Sequence, residues 1–482
     1  MIRSASKSSA CNEGLSEKRN MADTKDKKDH RSVLILTADA GSGHRSAALA
    51  IKAALETRYG EQCRVSIVNP LRESKSPGIL HTITEDRYDD LVQNDPGLYE
   101  LSYRLSDSIA TASIIEQVLS ILLYETMKQL IRRDRPDVVV STYPLYLEPL
   151  NFVFDRLGQS LPLVAVVTDL VTVHTLWFNP RAELCLVPTH EARKKAIRSG
   201  VKRDRIHVSG LPVHPRFGAE TRPPAEIRQE LGWAQDVPTA LIVGGTRVKQ
   251  VAEIAQTIDR SELDIQLAIV AGGDEMLYQK LSAQTWQKPV NLYGFVDSMP
   301  ALIRASDVVI TKAGGLIVSE TLACQRPIIF SSAIPGQESG NVDFVTGSSA
   351  GDWAPSPEAV LKALIEWFTP DDSVAVDRRR HAEKLGRPDA AVKAADLIWE
   401  TAGTGALPDS RRFSLRSAAA LPLRASAQVS RGIDKLEQEV REVTDAEMAR
   451  LASWCVSQID TITELDNVQD NIQERLRKLK LG

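Results

Sequence analysis

Short, unbroken runs of apolar residues recur along most of the chain, and each run leads into a turn and then into a segment with helical periodicity. Such runs are typical of strands that are buried on both faces of a parallel sheet. Between the runs, apolar residues at steps of three and four predict helices, for example at about 46–58 and 113–133. The predicted strands lie near 32–37, 64–69, 137–141, 162–168, 182–188, 206–210, 239–245, 266–273, 290–294, 307–311 and 327–330.

Strands that alternate with helices predict an α/β fold with doubly wound parallel sheets. The alternation occurs in two blocks, which predicts two Rossmann-like domains that face each other across a cleft. We expect the last helix of the second block to cross back to the first domain. The predicted organisation is a disordered tail at 1–31, a first domain at 32–215, a linker at 216–236, a second domain at 237–402, a flexible basic linker at 403–430 and an amphipathic helical hairpin or coiled coil at 431–482.

Size and composition narrow the range of functions. The chain has 482 residues, of which 43% are hydrophobic and 25% charged, so most of it should be globular. The formal net charge of −4 argues against nucleic acid as a partner. The five scattered cysteines include no Cys-x-x-Cys pair, which is typical of a reduced protein without a zinc site. No segment has the ~20 apolar residues of a spanning helix, so we expect a cytoplasmic protein or a peripheral one on the cytoplasmic face of the cell membrane.

The first glycine turn, Gly41-Ser-Gly43-His44, joins the strand at 32–37 to a helix. It is a poor dinucleotide fingerprint, because the turn ends in Ser46 and the next strand ends in Asn69, not in the acid that would bind a ribose. An imidazole at this turn can face the cleft and accept a proton from an alcohol, and the helix N-terminus would lower its pKa. The alternative is a histidine that only caps the helix.

The second glycine turn is more specific. Gly314 and Gly315 stand where a strand enters a helix, and their backbone N–H groups can hold a diphosphate. Glu320, about a turn and a half further on, can accept both hydroxyls of a ribose. The segment 337–341 (Gln337, Glu338 and Asn341) offers amide and carboxylate groups for sugar hydroxyls. The alternative is that the glycines serve only packing and that Glu320 is simply solvated.

These motifs, in this order, resemble glycosyltransferase family 28 and, within it, the branch of monogalactosyldiacylglycerol synthases and processive diacylglycerol glycosyltransferases. The resemblance covers roughly residues 32–400, in both domains, and excludes the two ends. The segments that carry it are Gly41–Arg45, Val167–Leu170, His174, Trp177-Phe178, Pro188-Thr189, Ser209–Pro215, Gly244–Arg247, Gly294–Val296, Lys312–Gly315, Ser319-Glu320 and Pro335–Asn341.

The resemblance implies the GT-B architecture and an inverting transfer of a hexose, galactose or glucose, from a UDP-sugar to diacylglycerol. The first domain would then be the acceptor and membrane side, and the second would bind the UDP-sugar. The resemblance also implies no cofactor and no essential metal. The chain agrees in having no Asp-x-Asp motif, the metal–diphosphate signature of the other large glycosyltransferase fold. Backbone N–H groups and the helix dipole would then stabilise the leaving diphosphate.

The resemblance also implies roles for individual residues. His44 matches the family's proposed base, and either Asp39 or Asp169 is expected to orient it. Of the two, Asp169 is counted with His44 among the catalytic residues. The residues expected to bind the nucleotide and diphosphate are Gly43, Gly245, Thr246, Arg247, Phe295, Val296, Lys312, Gly314, Gly315 and Glu320. Those expected to bind the sugar are Gln337, Glu338 and Asn341, and those on the acceptor side are His174 and Trp177.

The chain departs from the family pattern at two places. Ser42 replaces the middle glycine of a Gly-Gly-Gly-His turn, and the family's Ala-Gly-Pro-Gly-Thr stretch is here Ala313-Gly-Gly-Leu-Ile317. These changes leave the donor sugar open between galactose and glucose. Alternative functions are transfer of N-acetylglucosamine to a polyprenyl-linked cell-wall precursor, a UDP-sugar hydrolase or epimerase of the same fold, and a non-catalytic scaffold.

Two further partners are expected besides the UDP-sugar and diacylglycerol. The irregular segment at 75–110 and a basic cluster at 193–205 could contact an anionic membrane surface. The alternatives are a packed loop and a solvated helix face. The segment at 431–482 is expected to serve self-association or partner binding, because its charges are mixed along the predicted helices.

Overall fold

A computed structural model describes residues 30–39, 41–73, 109–158, 161–245, 248 and 250–405. The predictions for 1–29, 75–108 and 431–482 lie outside the described residues. The described part contains two parallel six-stranded sheets with helices packed against them. The predicted α/β fold class, with two Rossmann-like domains, is therefore confirmed.

The first domain is built on a sheet with the strand order β2-β1-β3-β4-β5-β6. Its strands are β1 (Arg31–Leu36), β2 (Cys63–Val68), β3 (Val138–Ser141), β4 (Leu163–Val166), β5 (Leu184–Val187) and β6 (Ile206–Val208). Its helices are α1 (Ser42–Tyr59), α2 (Pro70–Glu73), α3 (Ile109–Asp134), α4 (Leu147–Leu157) and α5 (His190–Arg198).

The second domain is built on a sheet with the order β12-β11-β10-β7-β8-β9. Its strands are β7 (Thr239–Val243), β8 (Gln266–Val270), β9 (Val290–Tyr293), β10 (Val308–Lys312), β11 (Ile328–Ser332) and β12 (Gly351–Trp353). The helices from the connection onward are α6 (Pro215–Ala219), α7 (Pro224–Leu231), α8 (Val251–Asp259), α9 (Glu275–Ser282), α10 (Met299–Ala305), α11 (Gly315–Ala323), α12 (Ser339–Gly347), α13 (Pro357–Phe368), α14 (Ser373–Leu385) and α15 (Ala390–Ala402).

The apolar runs form strands because both faces of each sheet are covered. In β1, Val33 and Ile35 pack into one core cluster, whereas Leu34 and Leu36 pack into another on the opposite face. Side chains of a strand alternate between the two faces, so a strand covered on both sides needs apolar residues at consecutive positions. This accounts for runs without polar alternation.

Each sheet has one point where the strand order reverses, and these points mark the cleft. In the first sheet, β1 lies between β2 and β3, and in the second, β7 lies between β8 and β10. Connections leave such neighbouring strands in opposite directions, so a crevice opens at their carboxyl ends, where ligands bind in open α/β sheets. The turns at 41–44, 244–245 and 312–315 all follow these strands.

The stretch predicted as a linker contains two helices. Pro215 and Pro224 each stand at the first position of a helix, α6 and α7 respectively. Proline is tolerated there because the first helical N–H has no intrahelical acceptor and the ring sets a suitable φ. Ile227 and Trp233 are buried in a core cluster with residues of the second sheet. The prolines therefore begin helices here.

The last helix, α15, packs on the first domain. Its Ile398 is fully buried in the core cluster that contains Val33 and Ile51. The ring of Trp399 stacks on Tyr59 with 4.1 Å between centroids, and the Arg31 guanidinium lies 4.3 Å from the same ring. This packing ties the end of the second half of the chain to the first sheet.

We expect Ile398→Ala to lower the free energy of unfolding by about 2–5 kcal/mol, because it leaves a cavity in the core of the first domain. The measurement is urea denaturation followed by tryptophan fluorescence. Lys393→Ala, at an exposed position of the same helix, is the matched control and should change the midpoint little. Equal midpoints for the two variants would mean that α15 does not belong to the first domain's folding unit.

Candidate active site

His44 lies in the first turn of α1, directly behind the carboxyl end of β1. Gly41 precedes the helix with φ 78°, a backbone conformation that favours glycine. The Nδ1 atom of His44 is 2.7 Å from the hydroxyl oxygen of Thr168, which follows β4. The imidazole also contacts the rings of Tyr143 and Trp177, with centroids 5.0 and 5.9 Å away. The ring is thus held in one orientation by three separate segments.

Burial controls the protonation of His44. Desolvation by its surroundings lowers the pKa of the imidazole from 6.5 to about 4, and the Thr142 backbone, through a hydrogen bond, opposes this shift. A neutral imidazole is the form that can accept a proton. At neutral pH the structure therefore holds His44 in the basic form.

Asp169 lies one residue beyond the hydroxyl that binds His44. Its Oδ2 accepts hydrogen bonds from the indole Nε1 of Trp177 at 2.8 Å and from the backbone N–H of His174 at 3.3 Å. The Trp177 side chain is only 1% exposed, and Nδ1 of His174 accepts from the N–H of Leu176. His174 and Trp177, which were predicted on the acceptor side, thus both donate hydrogen bonds to Asp169, and the Trp177 ring also contacts His44.

Neither Asp39 nor Asp169, the two residues predicted to orient His44, is the hydrogen-bond partner found at its Nδ1. Asp39 forms an ion pair with Arg72 at 2.7 Å and accepts a hydrogen bond from Asn69 at 3.2 Å. The group bonded to the imidazole Nδ1 is instead the hydroxyl of Thr168. Sequence reasoning missed Thr168 as a functional residue. The available signal was its place next to Asp169, at the end of a buried strand.

The second half of the site is centred on the start of α11. Gly314 is its N-cap, and no side chain of the described residues caps the helix, so its first N–H groups lack a side-chain partner at this end. The Lys312 ammonium lies against Gly314, since a Cβ at that position would be 2.8 Å from Nζ. Lys312 Nζ forms an ion pair with Oε1 of Glu338, whose side chain is 8% exposed. Lys312, Gly314 and Glu338 are therefore one cluster.

Two more sugar-site candidates lie beside this cluster. Asn341 donates from Nδ2 to the carbonyl of Ala313 at 2.8 Å, and within the described residues its buried Oδ1 has no hydrogen-bond partner. Gln337 is partly exposed and follows Gly336, which has φ 80°. A buried acceptor without a partner is costly unless a ligand or water satisfies it. Asn341 therefore has the property expected of a residue that binds a hydroxyl.

Glu320 lies in α11 beyond this cluster. Burial raises the pKa of its carboxyl from 4.5 to about 8, and the charge of Arg216 partly opposes the shift. Arg216 belongs to α6, in the connection between the domains. A buried carboxyl with a raised pKa is typical of a residue in a ligand-binding or catalytic site.

Three of the remaining nucleotide candidates follow strands of the second sheet: Gly245, Phe295 and Val296. Gly245 has φ 143°, and apart from its chain neighbours no atom of the described residues lies within 4 Å of where its Cβ would be. Gly43, in the first domain, has the same open space. Phe295 is 81% exposed after β9, whereas Val296 packs on the core. The predictions for Thr246 and Arg247 lie outside the described residues.

The loop that follows β4 brings the two halves together. A Cβ built on Gly315 would lie 3.4 Å from the Leu170 Cβ, and a Cβ on Gly340 would collide with the Thr172 hydroxyl. The residues next to Asp169 therefore rest on the starts of both α11 and α12. This loop therefore joins the segment of Asp169 to the helix starts that lie beside Lys312 and Glu338.

Comparison with known proteins identifies this arrangement. Residues 44–213 match the family model described as monogalactosyldiacylglycerol (MGDG) synthase, and residues 239–341 match the glycosyltransferase family 28 C-terminal domain. A probable chloroplastic monogalactosyldiacylglycerol synthase of Glycine max is 32% identical over 380 residues, 77% of this chain and 71% of the relative. The chloroplastic synthase of Spinacia oleracea is 32% identical over 373 residues, 75% and 71% of the two chains.

A solved structure supports the architecture. The crystal structure of Acinetobacter baumannii MurG aligns with a TM-score of 0.51 at 13% identity, over 77% of this chain and 99% of that one. At this identity the likeness concerns the fold alone. It agrees with the two facing Rossmann-like domains of the GT-B architecture.

The fold and the family matches define a UDP-sugar-dependent glycosyltransferase with the GT-B architecture. The chain belongs to the monogalactosyldiacylglycerol synthase family, whose reaction is hexose transfer from a UDP-sugar to diacylglycerol. The predicted family and function are thereby confirmed.

The predicted location is wrong. The composition predicted the cytoplasm or the cytoplasmic face of the cell membrane, but these two curated relatives are chloroplastic proteins. The physical reason for the error is that composition and cysteine usage distinguish a reducing from an oxidising compartment and do not distinguish between reducing ones. Within the described residues, no helix combines the length and the apolar content that a membrane span requires.

We expect the imidazole of His44 to titrate near pH 4 in the folded protein, against 6.5 in the unfolded chain. The folded state then binds fewer protons between these values, so His44 contributes stability that is complete above about pH 6.5 and is lost as the pH falls through 4. The measurement is a histidine NMR titration, with His44→Gln to assign the signal. A His44 signal that titrates near 6.5 would contradict the neutral-base arrangement.

Proposed function

We propose that the hexose is galactose and that the chain is a UDP-galactose:diacylglycerol galactosyltransferase. The names of three curated relatives, each a monogalactosyldiacylglycerol synthase, support this choice over glucose. The observation that carries the proposal is a neutral, fixed imidazole in one domain and a helix N-terminus without a side-chain cap in the other, joined by the loop after β4. An imidazole on one side suits an alcohol, and the helix N-terminus on the other suits a diphosphate.

In the proposed mechanism, His44 takes the proton of the free hydroxyl of diacylglycerol. The hydroxyl oxygen attacks the anomeric carbon of the sugar, and the bond between that carbon and the diphosphate oxygen breaks on the opposite side. The products are the galactolipid, with inverted anomeric configuration, and UDP. Because Nδ1 of His44 is bonded to Thr168, we assign the proton transfer to Nε2.

Asp169 supports this step by its charge. The surroundings that hold His44 neutral also disfavour the imidazolium that forms when the proton is transferred. The Asp169 carboxylate is fixed by Trp177 and His174 and follows Thr168 directly in the chain, so in this proposal it supplies the compensating negative charge. We therefore assign Asp169 to stabilising the protonated base.

The second domain binds the donor in this proposal. The N–H groups at the start of α11 and the Lys312 ammonium stabilise the leaving diphosphate, so we expect no essential metal and no cofactor. Glu320 accepts the ribose hydroxyls, and Gln337, Glu338 and Asn341 bind the hexose. Gly43, Gly245, Phe295 and Val296 border the nucleotide.

The acceptor is a lipid, so we also propose contact with an anionic membrane surface. Several side chains of the basic cluster are exposed on α5 and in the turn after it: Lys194, Arg198, Lys202 and Arg203. Others are engaged within the protein, for example Lys195, which donates to the Val173 carbonyl at 2.5 Å, and Arg205, which donates to Ala182. Self-association through 431–482 stays a prediction.

Product analysis tests the proposed function. The full chain is incubated with diacylglycerol liposomes and, separately, UDP-galactose, UDP-glucose and UDP-N-acetylglucosamine, with and without EDTA. We expect a new glycolipid with UDP-galactose alone, equally in EDTA. A product made only from UDP-glucose would identify glucose as the transferred sugar, and loss of product in EDTA would contradict metal independence.

His44→Ala should reduce the rate of transfer by about 10²–10⁴-fold while leaving UDP affinity nearly unchanged.

The raised pKa of Glu320 makes a separate prediction about donor binding. Ribose hydroxyls favour the ionised carboxylate, so UDP-galactose binding should release a proton at pH 7, where a carboxyl with a pKa of about 8 is mostly protonated. As the pH is raised toward 8, the affinity for UDP-galactose should therefore increase, by up to about tenfold per pH unit. Calorimetry in buffers of different ionisation enthalpy measures the release. Glu320→Gln should abolish it, and equal proton release in that variant would remove Glu320 from ribose binding.

A further inference from the structure

The ion pair of Lys312 and Glu338 lies at the start of α11, the position where the proposed function places the diphosphate. A Cβ built on Gly314 would be 2.8 Å from Nζ of Lys312 and 3.5 Å from Oε1 of Glu338. Gly314 is the N-cap of α11, where the N–H groups available to an anion begin. The pair and the diphosphate would therefore compete for the same space.

The backbone fixes the direction of Lys312. The register between β10 and β11 shifts between Thr311 and Lys312, so that Thr311 pairs with Phe330 and Lys312 with Ser332. Irregularities of this kind at the end of a strand change the direction of a side chain and often occur beside active sites. Here the irregularity directs Lys312 toward the start of α11.

Both oxygens of the Glu338 carboxylate have partners. Oε1 is bound by Lys312, and Oε2 accepts a hydrogen bond from the N–H of Ile334 at 2.9 Å. The side chain is 8% exposed. A carboxylate in this environment needs a positive charge or several donors, because an uncompensated buried charge is costly. As long as Lys312 stays in place, Oε1 cannot serve fully as an acceptor for a sugar hydroxyl.

Electrostatics makes the pair exchangeable. A cation near the N-terminus of a helix is disfavoured by the helix dipole, and Glu338 offsets this effect. A diphosphate at the same place carries two negative charges and would attract Lys312 more strongly than one carboxylate does. If the ammonium turns to the diphosphate, Oε1 of Glu338 loses its partner, and a sugar hydroxyl can replace it.

We propose that Lys312 is the shared counter-ion of Glu338 and of the donor diphosphate, and that the ion pair is exchanged when the UDP-sugar binds. This inference rests on the proposed function of the site. It has a consequence for selectivity: UDP alone draws Lys312 away and leaves a buried carboxylate unpaired, whereas the UDP-sugar supplies the hydroxyl that satisfies it. The exchange therefore favours the substrate over the product UDP and assists release of UDP.

Calorimetric titration of the full chain with UDP and with UDP-galactose tests the exchange. In Glu338→Gln, Lys312 has no carboxylate to leave, so UDP should bind more tightly than to the wild type, by about threefold or more. UDP-galactose should bind more weakly, because the amide replaces the carboxylate acceptor. These opposite signs distinguish the exchange from a simple sugar contact, for which UDP affinity would not change.

The second part of the test uses Lys312→Met and the double variant that combines it with Glu338→Gln. Lys312→Met should weaken UDP binding by about tenfold or more, because it removes a charge-assisted contact and leaves Glu338 to repel the diphosphate. Adding Glu338→Gln should restore part of this loss. Glu253→Gln, which breaks the exposed Glu253–Lys280 pair of 2.9 Å in the same domain, is the matched control and should change neither affinity.

The possible results separate the exchange from the proposed donor site. Unchanged or weakened UDP binding in Glu338→Gln, with normal binding by the wild type, would overturn the exchange and leave the donor site standing. A wild type that binds neither nucleotide would overturn both. Tighter UDP binding together with weaker UDP-galactose binding supports the exchange.

Discussion

The close approach of the two domains at Gly315 and Gly340 is the constraint on which the site depends. The loop after β4 rests on the starts of α11 and α12, and a side chain at Gly340 would collide with the Thr172 hydroxyl. Thr168, which holds His44, belongs to the same short segment. The same contact thus places the base side and the donor side of the cleft within reach of one ligand. A rigid scaffold that positions loop residues is the usual basis of such sites.

The electrostatics of the cleft follows from partial burial. Desolvation keeps His44 neutral and raises the pKa of Glu320, while Glu338 is stabilised by Lys312. In water, His44 would titrate with a pKa of 6.5 and Glu320 with a pKa of 4.5. In the folded protein, burial shifts the pKa of each group toward its neutral form, and functional sites commonly contain groups with such perturbed pKa values. The protonation states of His44 and Glu320 thus depend on their burial in the folded protein.

Local patterns predicted much of the fold and part of the site. The predicted strands match the observed ones within a few residues, because a strand covered on both faces leaves a direct apolar signature. Strand β12 was not predicted, since Gly351–Trp353 is too short to carry that signature. The linker helices were missed because prolines indicate a break in the chain as readily as a helix start. Thr168 was missed because a hydroxyl has no distinctive pattern.

The sequence by itself determined the order of strands and helices, the glycine turns and the residue types available for chemistry, since these depend on neighbours along the chain. The family followed from the order of those motifs. Tertiary structure alone decided that Thr168 binds His44, that Asp39 pairs with Arg72, and that Lys312 pairs with Glu338. These contacts join residues that are distant in sequence, and the distances and desolvation that set them exist only after the sheets have packed.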